Sequence, residues 1–166
     1  MNVETQLKAE IAKYDPARDI KYVPRAVARV EEIIAFIDHS DVEIRRYVSA
    51  GAIYALMGNL PRETSERLLA KLAERLILRF NGHAEPVEPD VYVRERCANA
   101  FEMAASTAKT VTPHLETLKL SRDKDPHEWV RDRARDAIRY LGSLSDTKKI
   151  PNRPVERAST RREATI

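Results

Sequence analysis

The chain is poor in cysteine, glycine and aromatic residues: one Cys, four Gly, one Trp, six Tyr and three Phe in 166 positions. A single thiol, Cys97, cannot close an internal disulfide, so a reducing compartment, the cytoplasm, is the simplest expectation. So few glycines and aromatics argue against a chain of many short strands and tight turns. The longest unbroken apolar run, AGAIYALMG at 50–58, is far shorter than the roughly 20 residues needed to span a bilayer. The opening MNVETQLKAEIAKY has no apolar segment of the secretory kind, and no membrane partner is expected.

Chemical signatures are missing as well. There is no G-x-G-x-x-G, Walker loop or G-x-S-x-G, so no phosphate cradle or nucleophile elbow is expected. His39, His83, His114 and His127 stand far apart without HxxxH spacing, and CxxC does not occur. No metal, cofactor or catalytic residue is nominated, and enzymatic activity is not expected.

What is present begins with charge. The formal net charge is +3, which on its face suggests nucleic acid. From Ser143 onward, however, lie six of the 29 basic residues and three of the 26 acidic ones, leaving 23 of each in residues 1–142. The body is neutral and the end is basic. Residues 143–166, with two prolines and few large apolar side chains, are expected to form a mostly disordered tail.

Three stretches share one plan: SDVEIRRYVSAGAIYAL (40–56), PDVYVRERCANAFEMAA (89–105) and DPHEWVRDRARDAIRYL (125–141). They align without gaps on Ile44-Arg45, Val93-Arg94 and Val130-Arg131. At offsets +4, +7, +8 and +11 from the aliphatic anchor stand Val48, Gly51, Ala52, Ala55; Cys97, Ala100, Phe101, Ala104; and Ala134, Ala137, Ile138, Leu141. That spacing is one face of an α-helix, with a small residue at +7 where another helix can approach closely. Ser40 with Glu43 and Asp125 with Glu128 have capping-box spacing, Asp90 can cap the middle copy, and Pro126 fits a first helical position. Asp41 with Arg45 and Asp90 with Arg94 are expected to pair one helical turn apart. The third copy has His127 at that place, so Arg131 must look to Asp125 or an adjacent copy.

Each copy follows another helical pattern. Residues 24–39 put Val27, Val30, Ile34 and Ile37 on one side, and 61–80 do so with Leu68, Leu69, Leu72, Leu76, Ile77 and Phe80. In 112–123, Thr112 is the expected cap, Pro113 the first position, and Leu115 and Leu118 point inward. A leading helix through Val3, Leu7, Ile11 and Tyr14 fits an N-terminal cap. The repeated unit is a helix pair.

Three helix pairs whose second helix opens with D-x-x-[VI]-R, or nearly so, resemble HEAT repeats over residues 24–142. The resemblance implies an all-α, right-handed α-solenoid of about three pairs in domain 1–142, with the second helices lining a concave surface and each pair stabilised by stacking. It also implies a non-enzymatic scaffold. HEAT-like di-iron proteins carry several His-Glu dipeptides, and His127-Glu128 is the one such dipeptide here.

A stripe at offsets −1, +3, +6 and +10 runs beside the inner face: Glu43, Tyr47, Ala50, Tyr54; Tyr92, Arg96, Asn99, Met103; Trp129, Arg133, Asp136, Tyr140. Aromatic and Arg side chains in a row suit a protein partner, and Tyr47, Arg96, Trp129, Arg133 and Tyr140 are nominated as contacts. The competing expectation is that the stripe widens the packing between repeats. Arg beside aromatics can also stack bases, and the HEAT-like alkylpurine DNA glycosylases make nucleic acid the alternative partner. Glu43 and Asp136 within the stripe weigh against phosphate binding. Helix 41–57 is apolar on nearly every side, so either segment 1–22 covers it or Ile53 and Met57 join the binding surface.

Overall fold

The computed structural model describes residues 2–13 and 23–147. Among them the chain is mostly helical: α1 (Val3–Ile11), α2 (Val23–Ala28), α3 (Val30–Phe36), α4 (Val42–Met57), α5 (Arg62–Arg75), α6 (Val91–Ser106), a 3-10 turn (Thr112–His114), α7 (Leu115–Lys124) and α8 (Glu128–Thr147). One antiparallel hairpin, β1 (Leu78–Phe80) with β2 (Ala84–Pro86), interrupts the series. No helix among the described residues is long and apolar enough to cross a membrane.

The three look-alike stretches are α4, α6 and α8, and they touch in sequence: α4 packs against α6, and α6 against α8. Their anchors Ile44, Val93 and Val130 are fully buried, as are Ala52, Cys97, Ala100, Phe101, Ala134 and Ala137. Removing each large apolar side chain from water contributes about 1.5–3 kcal/mol. The small residue at +7 has the expected use in the first copy, where a Cβ on Gly51 would lie 3.2 Å from Cδ1 of Ile33 in α3. The earlier helix of each pair lies against this series: α2 and α3 on α4, α5 on α6, and α7 on α8. At the front, α1 packs on α4 through the buried Leu7, so α4 is partly covered. Ile53 packs against the core, while Met57 stays 46% exposed.

Several local expectations change. The helix expected over 24–39 is broken at Arg29, whose backbone (φ −106°, ψ 14°) leaves the helical region. The Arg29 side chain then reaches Glu10 of α1 at 2.6 Å and Glu32 at 2.7 Å. The pattern over 61–80 ends as a helix at Arg75. Beyond it, Asn81-Gly82-His83 turns the chain, with Gly82 at φ 80°, a left-handed conformation that glycine adopts without strain. The hairpin buries Leu78 at its base, while Phe80, two residues on towards the turn, is 57% exposed; Ile77, just before the strand, is also exposed. Helix α8 runs to Thr147, five residues past the expected boundary at 142. Tyr14 and residues 148–166 lie outside the described residues.

The pairing of the signature arginines differs most. The cap of α4 is Asp41, which accepts the Glu43 N–H at 2.9 Å, rather than Ser40. The α8 helix begins at Glu128, after Pro126. Arg45 and Arg94 do not pair with the aspartates one turn earlier. Arg45 grips Glu88 at 2.9 and 3.1 Å, and Arg94 grips Asp125 at 3.0 and 3.3 Å, each reaching into the next copy. Glu88 and Asp125 both stand five residues before their anchors, where the first copy has His39. All three of these residues accept the backbone N–H two residues on, at 3.0, 3.0 and 2.9 Å. Each signature arginine also donates to the carbonyl of its own copy's residue there: Arg45 to His39 (2.8 Å), Arg94 to Glu88 (2.9 Å) and Arg131 to Asp125 (2.7 Å). The result is one hydrogen-bonded rail, Arg45–Glu88–Arg94–Asp125–Arg131, joining the three copies. Charge-assisted, two-pronged contacts of this kind are the strong members of their class.

Candidate protein-binding face

The rail delivers the N-terminal ends of α6 and α8 side by side, and an aromatic cluster forms there. Asp90 caps α6 by accepting the Val93 N–H at 3.0 Å and also takes the Arg46 guanidinium at 2.6 Å. Burial alone would raise the Asp90 carboxyl, but the hydrogen bonds from Arg46 and Val93 outweigh it and hold the group below its usual range. Anchored this way, Arg46 lies over the Tyr92 ring, 5.0 Å from its centre. Tyr92 in turn lies 6.3 Å from Trp129, and His127 meets the edge of Trp129 at 4.8 Å. These separations fall in the favourable range for tilted aromatic pairs. Both Tyr92 (46%) and Trp129 (49%) nevertheless remain largely open to solvent.

The nominated stripe divides. Trp129 and Tyr140 are exposed. Tyr47 is half-buried and donates its hydroxyl to Glu10 of α1 at 3.1 Å, packing against the core. Arg96 donates to the Arg46 carbonyl of α4 at 2.7 Å. Arg133 reaches from α8 to two carboxylates of α6, Glu95 at 2.9 Å and Glu102 at 3.2 Å, with its side chain 41% exposed. The stripe's arginines therefore tie one helix to the next, and its aromatic members face outward in α6 and α8. Arg46 and Tyr92 complete the patch. Tyr92 was legible as the second aromatic at offset −1, alongside Trp129; Arg46 was not, because its acid, Asp90, is 44 residues away.

The remaining reactive groups sit elsewhere. Cys97 is buried in the core, and burial pushes its thiol far up, away from the nucleophilic thiolate. His114 lies edge-on to the Phe101 ring at 5.5 Å, and burial lowers its pKa. Among the described residues, no three His, Cys, Asp or Glu side chains are grouped to hold a metal ion.

Compared with known proteins, the chain matches no family model, no curated protein and no solved structure.

Proposed function

We propose that the chain is a non-enzymatic scaffold of HEAT-like helix pairs, an α-solenoid, that docks a protein partner on the face of its second helices. The observation that carries this reading is the Tyr92–Trp129 pair, two large rings in contact and both about half exposed. Aromatic side chains held rigidly by their neighbours, yet open to solvent, supply contact area at small entropic cost. Tyr140, exposed further along α8, extends the same surface. Arg46 lies over the Tyr92 ring and Arg133 stays 41% exposed, while their charges are already balanced by Asp90 and by Glu95 and Glu102. This balance favours a protein over nucleic acid, because phosphate binding draws on unneutralised Lys and Arg.

The test is a capture experiment from the native host with the full chain and with the double variant Trp129→Ala/Tyr140→Ala. A specific partner should lose roughly 30-fold or more in affinity, the range of an aromatic anchor, while the melting temperature holds. Equal loss of stability and binding shows the stripe to be packing instead. Steep, salt-dependent retention of duplex DNA in a gel shift moves the assignment to nucleic acid. Trp129 is the sole tryptophan, so its fluorescence reports docking directly.

A further inference from the structure

The rail has an open end. In the first two copies the arginine Nε and Nη2 grip a carboxylate of the next copy, Glu88 for Arg45 and Asp125 for Arg94. Arg131 holds the same place on α8 and, like them, donates Nη1 to its own copy's carbonyl, that of Asp125 at 2.7 Å. Its Nε and Nη2 have no carboxylate among the described residues, and the side chain is half-buried. The acids beside it on the helix do not supply one: Asp132 takes Arg135, and Glu128 is not bonded to Arg131. A guanidinium stays charged and keeps all five donors, so the position suits an acid.

The surroundings limit what can bring that acid. On the side of α4 and α6 that receives the next copy, Ser49 and Ala98 are fully buried one turn beyond their arginines. The same place on α8 is Arg135, its side chain 51% exposed and paired with Asp132. Leu56 and Ala105, buried further along, correspond to Gly142, where an added Cβ would meet no atom within 4 Å. A charged residue in place of a small buried one does not accept a fourth helix pair in the same register, and polar outer faces are how repeat stacks end. A second copy stacked head to tail would bring His39, the first copy's residue in the acid column, and no carboxylate.

The chain itself carries a fitting acid. Beyond Thr147 it has two, Glu156 and Glu163. Glu156 ends the tripeptide Pro154-Val155-Glu156, and Glu88 meets Arg45 at the end of the same tripeptide, Pro86-Val87-Glu88. Arg131 lies 16 residues before Thr147, about 24 Å back along the helix. The nine residues from Thr147 to Glu156 span up to about 30 Å. We propose that the segment after α8 folds back along it and that Glu156 closes the rail on Arg131, as Glu88 does on Arg45, so that the tail is the stack's C-terminal cap. Trp129 and Tyr140 are not in this column of α8, so the cap stands whether or not a protein docks on the aromatic face.

The test is NMR of the full chain, with the carboxyl carbons of Glu156 and Glu163 followed through pH. Each glutamate stands next to an arginine in the tail, so Glu163 is the internal reference. Glu156 should titrate at lower pH than Glu163, because a guanidinium beside a carboxylate favours its charged form, and the difference should vanish in Arg131→Gln. Glu156→Gln should lower the melting temperature by roughly 2–4 °C while Glu163→Gln leaves it unchanged, which carries the test if Arg131→Gln does not fold. A tethered segment docks at an effective concentration set by its linker, so dilution should change nothing. The proposal is overturned by two glutamates that titrate together in wild type, by a difference that survives Arg131→Gln, or by equal melting temperatures for the two glutamine variants. A difference that fades on dilution also overturns it, placing Glu156 on a second copy.

Discussion

Arg94 is the side chain on which the joining of the second and third copies depends most. It is 3% exposed and makes four hydrogen bonds, two to Asp125 and one each to the carbonyls of Glu88 and Pro89. Replacing it with alanine leaves the Asp125 carboxylate, itself 2% exposed, with the His127 N–H at 2.9 Å as its remaining donor. Removing one partner of a buried pair costs about 3–5 kcal/mol, because the abandoned charge stays desolvated. Against a total stability of about 5–15 kcal/mol, Arg94→Ala is expected to cost about 4 kcal/mol and lower the melting temperature by roughly 10 °C. Urea unfolding followed by circular dichroism measures this. Arg62→Ala serves as the control: it breaks an ion pair with Glu66 in which the arginine side chain is 81% exposed, and it should change nothing measurable. Combining Arg94→Ala with Asp125→Ala should cost clearly less than the sum of the two singles, since the double change leaves no unpaired charge. If Arg94→Ala costs less than about 1 kcal/mol, or if the two changes add, the rail is decorative and the reasoning fails.

Three further outcomes follow from local geometry. Ala108 sits just past the end of α6 at φ 56°, with the Lys109 N–H on the Ala104 carbonyl at 2.9 Å and the Ala108 N–H on that of Ala105 at 3.1 Å; Ala108→Gly should stabilise the chain by about 0.5–1 kcal/mol, read as a higher urea midpoint. Cys97 should resist a thiol reagent at pH 8 in the native chain and react once urea unfolds it, with fast native labelling as the contrary result. Burial lowers the folded pKa of His114 below its ordinary 6.5, so the unfolded chain takes up that proton first. Stability should therefore fall as pH drops below about 6.5, and His114→Gln should flatten this slope in urea melts taken between about pH 6.5 and 5.

The parts of the fold legible in the sequence are those fixed by helical period. Val48, Ala52, Ala100, Phe101, Ala134 and Ala137 are buried where the offsets place them, because a helix turns its faces at a constant rate whatever surrounds it. Periodicity failed where two periods agree over a short run. Leu76 and Leu78 suit the end of a helix or the start of a strand, and the turn at Asn81-Gly82 decides for the hairpin. It also failed where partners are distant in sequence. The neighbouring aspartates offered Arg45 and Arg94 a local pair, but Glu88 and Asp125, 43 and 31 residues further on, hold them instead. A count back from the anchors would have found His39, Glu88 and Asp125 in one column. In the candidate site, spacing put Arg96, Trp129, Arg133 and Tyr140 in one stripe but left open whether it faces solvent or packs between repeats. The aromatics are exposed and the arginines bind the adjacent helix, since exposure depends on which neighbour arrives.

The hairpin at Leu78–Pro86 accounts for the unequal intervals between anchors, 49 residues and then 37. Despite that difference, Glu88 and Asp125 meet their arginines in the same way. Spacing is therefore counted backward from each anchor, over five residues, and not forward from the preceding unit. Extra sequence spliced in at Gly82, or taken away there, should leave the assembly in step, whereas a single residue gained or lost between Glu88 and Val93 should throw the whole molecule out of joint.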